Sequence, residues 1–357
     1  MRILQICPDS YANYGGISVH VRNISERLAR NHDVTVYATK RTPDFPWFEI
    51  INGVKVERFK CYAPNDSYFF SLDMPLKLRK EKFDIVHAHG YHAFPLHLST
   101  LAKCKKFVVT PHFHGSGHTI FRDSLFKLFK PFGKRVLQKA DAIIAVSEFE
   151  KTLLTDYFGL AKNKISVIPN GVNFKEYEGL KKENHEFKSI LYVGSLLSFK
   201  GVHYLIEVLP KLPDNIILEI VGNGPLKPFL ENRARQLHVY SRVKFYENLP
   251  RKELLQKFVN SDVFVILSRY EAYSIVVAEA LTAGTPCIVA KTSALTEWID
   301  DAACFGINYP INLKELIEKI NYVIFSHRKK MVGNKVFSAK IADWNQVTDR
   351  LELIYNS

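Results

Sequence analysis

The sequence is poor in the features that build disulfide frameworks and membrane spans. Its 357 residues include five cysteines, an odd number, and none of them stands in a Cys-x-x-Cys pair. Free thiols in a reducing cytosol therefore fit better than a secreted scaffold held by disulfides. No run of eighteen apolar residues is present, so no segment reads as a membrane-spanning helix. The first residues, MRILQIC, run directly into a strand pattern, and the sequence predicts no signal peptide.

Nucleic-acid recognition motifs and low-complexity repeats are also missing. The formal net charge is +13, but no RRM signature or zinc-finger spacing accompanies it, so we expect no nucleic-acid partner. The charge is uneven, because residues 1–178 contain 26 Lys and Arg against 17 Asp and Glu. A basic half of this kind can attract an anionic membrane or an acidic substrate.

Two successive series of strand and helix patterns run along the chain. The strand patterns are Arg2–Cys7, Asp33–Thr39, Val54–Cys61, Asp84–His89, Lys106–Pro111, Asp141–Val146 and Lys164–Pro169, then Ser189–Val193, Ile216–Gly222, Val243–Tyr246, Val263–Leu267 and Thr285–Val289. They are short and apolar, as in parallel sheets covered on both faces. We predict an α/β fold with two doubly wound, Rossmann-like domains, over residues 1–177 and 188–339, joined by a polar linker over 178–187.

Ligands of such sheets bind beyond the carboxyl ends of the strands, so both domains are expected to face one interdomain cleft. The loop after the first strand reads Tyr14-Gly15-Gly16-Ile17. Two glycines there let the backbone approach a ligand, and the following helix offers its free N–H groups to a phosphate. A plain turn is the alternative interpretation.

Charged residues follow strands in the second half. Lys200 ends the segment that begins Val193-Gly194-Ser195, and it can offset the charge of a diphosphate leaving group. Glu271 and Glu279 stand eight positions apart, a little over two helical turns, so both carboxylates can lean toward one cleft. A carboxylate can accept both hydroxyls of a ribose. Solvated surface charges are the alternative, although the apolar neighbours of Glu279 mean that this residue requires a partner.

These motifs, in this order, resemble a family 4 glycosyltransferase with the GT-B architecture. The resemblance covers essentially the whole chain. It is carried further by Thr110-Pro111-His112, Ile168-Pro169-Asn170-Gly171-Val172, Val221-Gly222-Asn223-Gly224-Pro225 and Ala283-Gly284-Thr285-Pro286. The resemblance implies that the C-terminal helix, 340–357, returns to complete the first domain.

The resemblance also implies a function. A sugar would move from a UDP- or GDP-sugar donor to a glycan or lipid-linked acceptor with retention of configuration, and neither metal nor cofactor would be needed. Glu279 would bind the ribose, Lys200 the phosphates, and His112 would lie at the reacting face of the sugar. The implied donor-binding set is Gly16, Gly194, Ser195, Lys200, Gly222, Asn223, Glu271, Tyr273, Ser274, Ile275 and Glu279, and the implied catalytic set is His112, Glu271 and Lys200.

The chain departs from the family pattern at two places. Ser195 stands where the family has an arginine, so a cationic phosphate ligand is missing there, and Arg269 and Arg251 are the candidates to replace it. Tyr273-Ser274 stands where the family has Phe-Gly, and the serine hydroxyl could add a hydrogen bond to a phosphate.

Histidines cluster after two strands of the first half. The pairs His87/His89 and His112/His114 are two residues apart, so each could chelate a metal. Neither loop supplies an Asp or Glu at ligand-like spacing, and we expect no metal. His112 is assigned to catalysis, because an imidazole can hydrogen-bond sugar hydroxyls and stabilise developing charge. Gly15, His89 and His114 are assigned to the acceptor side, with strand-end capping as the alternative for the histidines; His118 follows the same strand.

The segment Ile120–Lys139 is basic and rich in phenylalanine. Basic amphipathic helices are typical of membrane surfaces, although a helix that packs its phenylalanines inward has the same pattern. A second such patch contains Phe69, Phe70, Met74, Lys77, Arg79 and Lys80. A membrane surface would fit a lipid-linked acceptor and a peripheral position on the cytoplasmic face.

Three other functions fit parts of the sequence. A sugar-nucleotide epimerase shares the two-domain architecture and would convert its donor without an acceptor. A metal-dependent hydrolase would use the histidine pairs. A non-catalytic nucleotide-binding protein would fit the missing arginine.

Overall fold

The computed structural model describes residues 1–12, 15–40, 45–63, 68–117, 120–327 and 341–357. The chain divides into two compact units, one made of Met1–Gly171 with Asp343–Ser357 and the other of Val172–Ala342. The C-terminal helix therefore belongs with the first unit. Two short strands, β9 (Gly171–Val172) and β16 (Ala342–Asp343), lie where the chain passes between the units.

The first boundary differs from the predicted one. Residues 172–187, predicted to end the first domain and form a linker, belong to the second unit. Polar side chains bind this stretch there: Lys182 Nζ donates to the Ser261 carbonyl oxygen at 2.7 Å, and the Glu183 N–H donates to Asn260 Oδ1 at 3.1 Å. A polar composition indicated a linker, but these partners come from residues far along the chain.

The first unit is built on an eight-stranded sheet. Its strands are β1 (Arg2–Ile6), β2 (Asp33–Lys40), β3 (Phe48–Ile51), β4 (Val54–Lys60), β5 (Lys82–His89), β6 (Lys103–Thr110), β7 (Ala142–Ala145) and β8 (Ile165–Val167). They lie in the order β3-β4-β2-β1-β5-β6-β7-β8, and β3 alone among them pairs antiparallel. The strand order reverses between β1 and β5, so the loops that follow these strands border the ligand-binding edge expected of a doubly wound sheet.

The helices of the first unit cover this sheet. They are α1 (Gly16–Leu28), α2 (Asp73–Lys80), α3 (Phe94–Leu98), α4 (Ile120–Lys139) and α5 (Glu148–Phe158). Met74, Leu137 and Phe158 from three of them join a buried cluster with Leu4 and Val86 of the sheet. Full burial of one such side chain stabilises the fold by about 1.5–3 kcal/mol. The apolar sheet is thereby shielded from water.

The second unit is built on a six-stranded parallel sheet. Its strands are β10 (Lys188–Val193), β11 (Ile216–Val221), β12 (Val243–Tyr246), β13 (Val263–Ile266), β14 (Cys287–Ala290) and β15 (Cys304–Ile307). Its helices are α6 (Val202–Val208), α7 (Lys227–Gln236), α8 (Arg251–Asn260), α9 (Ile275–Thr282) and α10 (Leu313–Asn321). The strand order is β12-β11-β10-β13-β14-β15, which is the Rossmann order, and it reverses between β10 and β13.

Helix ends follow local chemistry. Helix α5 begins after Ser147, whose side chain accepts the Glu150 N–H, and ends at Gly159 in the left-handed conformation with φ 64°. The last helix, α11 (Trp344–Asn356), begins after Asp343, which forms a capping box with Gln346. Both signals are short-range, so these ends can be recognised from the sequence.

Every predicted strand is present, with ends that differ by three residues or fewer. The sequence analysis missed β3 and β15, four-residue strands at the edges of their sheets, because so short a pattern carries little periodicity. Helix α6 ends at Val208, and the chain continues as a 3₁₀ turn, Leu209–Lys211, that contains Pro210. None of the helices in the described parts of the chain combines the length and hydropathy that a bilayer crossing requires.

Buried hydrogen bonds attach α11 to the first sheet. The Tyr355 hydroxyl accepts a hydrogen bond from Gln5 Nε2 at 3.0 Å and lies 2.7 Å from His87 Nδ1. All three side chains are fully or almost fully buried. The end of the chain is therefore held by polar as well as apolar contacts.

We expect Tyr355→Phe to lower the free energy of unfolding of the first unit by about 1–3 kcal/mol, because it leaves Gln5 and His87 without their buried partner. Leu353→Ala is the control, since Leu353 is exposed on the same helix and such surface changes cost about 0.5 kcal/mol or less. Urea unfolding followed by a fluorescence probe in the first unit measures both. Equal midpoints for the two variants would contradict the anchoring role of Tyr355.

Candidate active site

The loops after β10 and β13 flank the point where the second sheet reverses its strand order. The first carries Gly194, Ser195 and Lys200, and the second carries Glu271. A backbone hydrogen bond from the Arg269 N–H to the Phe199 carbonyl oxygen, 2.7 Å long, joins the two loops. Candidate donor-binding residues from separate parts of the sequence are thus brought to one edge of the sheet.

An ion pair joins the same two loops. Lys200 Nζ lies 2.6 Å from Glu271 Oε1, and both side chains are largely buried. Lys200 ends a 3₁₀ turn and is followed by Gly201 with φ 75°, where a Cβ would lie 2.5 Å from the Leu267 carbonyl oxygen. Only glycine fits this close crossing of the two loops. Glycine is therefore required at position 201 by loop packing, which the sequence alone did not reveal.

Glu279 lies on α9 and has a different cationic partner. Its Oε1 is 2.6 Å from Arg251 Nη1, and Arg251 also donates through Nε to Glu176 Oε2 at 2.9 Å. Burial raises the pKa of Glu279, and the adjacent Arg251 guanidinium acts in the opposite direction. The partner that the apolar surroundings of Glu279 required is thus Arg251, which the sequence analysis considered only as a phosphate ligand.

Arg269, the other candidate to replace the family's arginine, lies beside aromatic rings. Its guanidinium carbon is 5.1 Å from the ring centroid of Tyr270 and 5.9 Å from that of Tyr309. These are cation–π distances.

The Ser195 side chain is exposed. The backbone carbonyl oxygen of Ser195 accepts the Tyr192 hydroxyl at 2.9 Å.

Ser274 immediately precedes α9 in a conformation that favours glycine. Its φ is 78° and its ψ 79°, which explains why the family pattern has a glycine there. Within the described chain its Oγ makes no hydrogen bond although it is buried. The preceding residue, Tyr273, is fixed because its carbonyl oxygen accepts the Trp298 Nε1–H at 2.8 Å. Ser274 therefore directs an unused hydroxyl and the first N–H groups of α9, from Ile275 onward, to the same edge.

The glycines after β10 and β11 allow two loops to run side by side. A Cβ on Gly222 would lie 2.0 Å from the Gly194 carbonyl oxygen. Asn223 follows, and its exposed side chain donates to Glu247 Oε2 at 3.2 Å. Gly194 and Gly222 thus serve backbone packing first, and they leave the floor of this edge free of side chains.

Gly15 and Gly16, unlike Gly222, have no close neighbour that would exclude a side chain. A Cβ on either would meet no atom within 4 Å, and neither has a positive φ. Packing of the described residues does not require glycine there, and the space beside the N-terminus of α1 is open. The predicted loop also includes Tyr14, and the histidine series includes His118; both lie outside the described residues.

Three histidines converge at the strand-order reversal of the first sheet. His20 lies on α1, His89 ends β5 and His112 follows β6, and one ring nitrogen from each lies within 4.8 Å of the others. All three side chains are buried. The structure therefore groups His89 and His112 with His20, which the sequence analysis did not single out, rather than with His87 and His114 as chelating pairs. His20 lies one helical turn after Gly16, and this spacing was the signal that could have placed it near the same loop.

Amide side chains orient two of these rings. Gln5 Nε2 donates to Tyr355, so Gln5 Oε1 accepts from His89 Nε2 at 2.8 Å and His89 Nδ1 carries a lone pair. His20 Nδ1 lies 2.6 Å from Asn170 Oδ1, so its Nε2 carries one too. Neither of these lone pairs, nor His112 Nε2, has a hydrogen-bond partner among the described residues. Three ring nitrogens thus point into one small buried space.

These rings are held neutral. Burial lowers the pKa of His20 to about 4, against the opposing hydrogen bond to Asn170. Burial also lowers the pKa of His89 and His112 well below the usual value, and for these two the neighbouring histidines add to the shift. Neutral imidazoles accept hydrogen bonds from hydroxyls, and they are also the form that binds a metal. Within the described residues this trio is the set that could hold a metal ion, with Gln5 and Asn170 fixing the ring orientation from outside.

The remaining predicted acceptor-side residue lies apart from the trio. His114 stacks on His92, with ring centroids 4.4 Å apart and an interplanar angle of 18°. His92 in turn stacks on Phe113. Aromatic packing therefore places the His114 ring against His92, and it is not part of the trio.

Two Rossmann-like α/β domains with mostly parallel sheets are the architecture of the GT-B class of glycosyltransferases. Two family models agree: the one described as Glycosyltransferase Family 4 matches residues 14–176, and the one described as Glycosyl transferases group 1 matches residues 173–334. The chain belongs to this family of group 1 glycosyltransferases and is a transferase enzyme.

Known relatives span nearly the whole chain. An uncharacterised glycosyltransferase of Methanocaldococcus jannaschii is 29% identical over 348 residues, which cover 90% of this chain and 88% of the relative. A phosphatidylinositol N-acetylglucosaminyltransferase of Arabidopsis thaliana is 24% identical over 381 residues, covering 100% and 82%. The solved structure of Anabaena HepE in complex with UDP-glucose superposes with a TM-score of 0.80 at 17% identity and covers 99% of both chains, which shows the shared fold.

We expect Arg251→Ala to lower the free energy of unfolding of the second unit by about 2–3 kcal/mol, because it leaves the Glu279 carboxylate buried without its cation. The Arg251 side chain is 39% exposed, so the loss stays below that of a fully buried pair. Adding Glu279→Gln to Arg251→Ala should recover most of the loss. Arg233→Ala, which breaks the more exposed pair with Glu207, is the control and should cost about 1 kcal/mol or less. Equal losses for the two arginine variants in urea unfolding would contradict this assignment.

Proposed function

We propose that this glycosyltransferase transfers a sugar from a nucleotide diphosphate donor, a UDP- or GDP-sugar, to a glycan or lipid-linked acceptor. The observation that carries the proposal is the placing of Lys200, Glu271 and Glu279 in the loops and helix that border the strand reversal of the second sheet. Sugar nucleotides bring a ribose, a diphosphate and a hexose to one site, and a carboxylate, a cation and free N–H groups are their complements. The complex of HepE with UDP-glucose, on the same fold, supports this donor class.

In the proposed donor complex Glu279 accepts the ribose hydroxyls through the oxygen that Arg251 does not hold. The diphosphate takes Lys200 away from Glu271, and the N–H groups at the start of α9 and the Ser274 hydroxyl bind its oxygens. Glu271, once released, accepts hydroxyls of the sugar. One ion pair thus becomes two separate ligand contacts.

We further propose that transfer retains the anomeric configuration through a same-face reaction. The bond from the anomeric carbon to the diphosphate oxygen breaks, the acceptor oxygen bonds to that carbon on the same face, and the acceptor proton passes to the departing phosphate. The carboxylate bonded to the His112–Phe113 segment is Glu150, and backbone N–H groups occupy both of its oxygens. Glu150 therefore takes no part as a nucleophile in the proposed reaction. His112, neutral through burial, is proposed to hydrogen-bond a sugar hydroxyl.

We propose that the transfer needs no metal ion, because Lys200 and the helix N–H groups can offset the charge of the leaving diphosphate. The trio of His20, His89 and His112 favours one second candidate, a metal-dependent hydrolase. A sugar-nucleotide epimerase is the other alternative. Hydrolysis abolished by a chelator would favour the first, and conversion of the donor in the absence of any acceptor would favour the second.

Lys200→Ala should lower the transfer rate by about 10²–10³-fold, the range for loss of one group that stabilises developing charge. Glu279→Gln should lower it by about 10–100-fold, because it weakens a charged hydrogen bond to the ribose. The donor is chosen first by thermal shift with UDP-, GDP- and ADP-sugars, and transfer is then measured on lipid-linked acceptors with and without EDTA. Lys211→Ala, an exposed lysine on the same domain, is the matched control and should keep the parental rate. Parental rates for both site variants would contradict the assignment, and loss of transfer in EDTA would contradict metal independence.

We propose that the first domain also binds an anionic membrane, which would present a lipid-linked acceptor. Phe129 on α4 is linked to Phe70 through Phe94, with ring centroids 6.4 Å and 5.3 Å apart, and Phe70 pairs by its backbone with Tyr62. The exposed members of this apolar surface are Tyr62, Phe70, Leu72, Leu76, Leu128, Phe129 and Phe132. Exposed Arg79, Lys80 and Lys127 supply the positive charge. The name of the Arabidopsis relative includes phosphatidylinositol, which supports a lipid acceptor.

This surface differs from the predicted patches in its members. Met74 is fully buried, and Lys77 is paired with Glu57 and Glu81, so neither is available to a membrane. The side chains of residues 120–123, 125 and 126 lie outside the described part of the structure.

The five cysteines are free thiols, which persist in a reducing compartment. We therefore propose the cytoplasmic face of the membrane as the location.

Leu128→Ser with Phe129→Ser should weaken binding to vesicles that contain anionic lipid by about tenfold or more, because it removes two exposed apolar side chains from the bilayer contact. Cosedimentation with vesicles at low and high salt measures this. Phe229→Ser, exposed on α7 of the second domain, is the control. Equal binding of the double variant and the control would contradict the surface, as would binding that is independent of anionic lipid.

A further inference from the structure

Glu150 is a fully buried carboxylate to which the proposed chemistry gives no direct part. It stands on the first turn of α5, and its two oxygens accept backbone N–H groups from two different segments. Oε1 accepts from Phe113 at 2.5 Å and Oε2 accepts from Val146 at 2.7 Å. One side chain therefore ties the end of β7 to the segment that follows β6.

The segment that Glu150 holds is the one that carries His112. His112 has φ 49°, a left-handed conformation that a residue with a side chain adopts at a cost. Its neighbours on both sides are fixed. The Pro111 carbonyl oxygen accepts the Tyr91 N–H at 2.7 Å, and the Phe113 ring lies 5.0 Å from Tyr91 and 5.3 Å from Phe158. The N–H that Glu150 binds belongs to the peptide unit directly after His112.

The start of α5 does not require this carboxylate. Ser147 already caps the helix, because its Oγ accepts the Glu150 N–H at 3.0 Å. Burial raises the pKa of Glu150, while the hydrogen bonds from the Val146 and Phe113 N–H groups act in the opposite direction. A buried carboxyl group is costly, and here it satisfies a backbone N–H directly after the strained residue.

We propose that Glu150 is a positioning residue for His112. By binding the Phe113 N–H, Glu150 holds the preceding residue, His112, in its left-handed conformation. The imidazole of His112 then stays oriented beside His20 and His89. Glu150 contacts no substrate in this arrangement and acts only through His112. The inference rests on the proposed role of His112 in transfer.

Glu150→Gln tests the proposal, because its amide NH₂ cannot accept from the Phe113 or Val146 N–H and so removes one of the two bonds. We expect kcat to fall on the order of tenfold or more, as for a small misplacement of a catalytic group, with little change in the KM of the donor. Ser147→Ala is the matched control. It removes the cap of the same helix but keeps both bonds to the carboxylate, so it should lower the thermal midpoint without a comparable loss of kcat.

The double variant with His112→Ala shows whether Glu150 acts through His112. If it does, Glu150→Gln costs nothing further in the His112→Ala background, and amide hydrogen exchange over 112–114 is faster in Glu150→Gln than in Ser147→Ala. An additional loss of the same size in both backgrounds, or a parental kcat for Glu150→Gln, overturns the proposal while the function of His112 stands. A parental rate for His112→Ala overturns both. Should Glu150→Gln fail to fold, Glu150→Asp replaces it, since it keeps the carboxyl group but draws it back from one N–H.

Discussion

The ion pair between Lys200 and Glu271 is the interaction on which the candidate site of the second domain depends. Parallel strands β10 and β13 lie side by side, but the loops that leave them turn in opposite directions. A positive and a negative side chain, 2.6 Å apart and shielded from water, bring these diverging loops together. The same charges are complements of a phosphate and of sugar hydroxyls, so the contact that organises the loops also supplies the groups for a ligand.

In the first domain, the groups at the strand reversal are neutral rather than charged. At its own strand reversal the structure places neutral imidazoles, which Gln5 and Asn170 orient by hydrogen bonds. Burial keeps these rings uncharged, so they pack close to one another without repulsion. The two domains thus share a topology but differ in chemistry: one edge suits a charged diphosphate, and the other suits hydroxyl groups.

Much of this arrangement could be predicted, but the pairing of side chains could not. Strand positions followed from apolar runs, and Lys200, Glu271 and Glu279 were singled out because they follow predicted strands and match motifs of the resembled family. Arg251 was noticed, but its pairing with Glu279 could not be inferred across 28 positions. His20 was missed, since a single histidine on an amphipathic helix has no pattern of its own. Residues 178–187, predicted to form a linker, lie in the second unit, where Lys182 and Glu183 bind residues far along the chain.

The sequence by itself determined the two series of strands and helices, the caps of α5 and α11, and the family, because each of these depends on short-range periodicity or on motifs contiguous in the chain. Only the tertiary structure decided which charges pair, which histidines meet, and that Ser274 occupies a backbone conformation suited to glycine. Those outcomes depend on how far apart the loops of neighbouring strands lie and on which groups are removed from water. Both are set when the sheets assemble, so neither can be inferred from any one segment of the sequence.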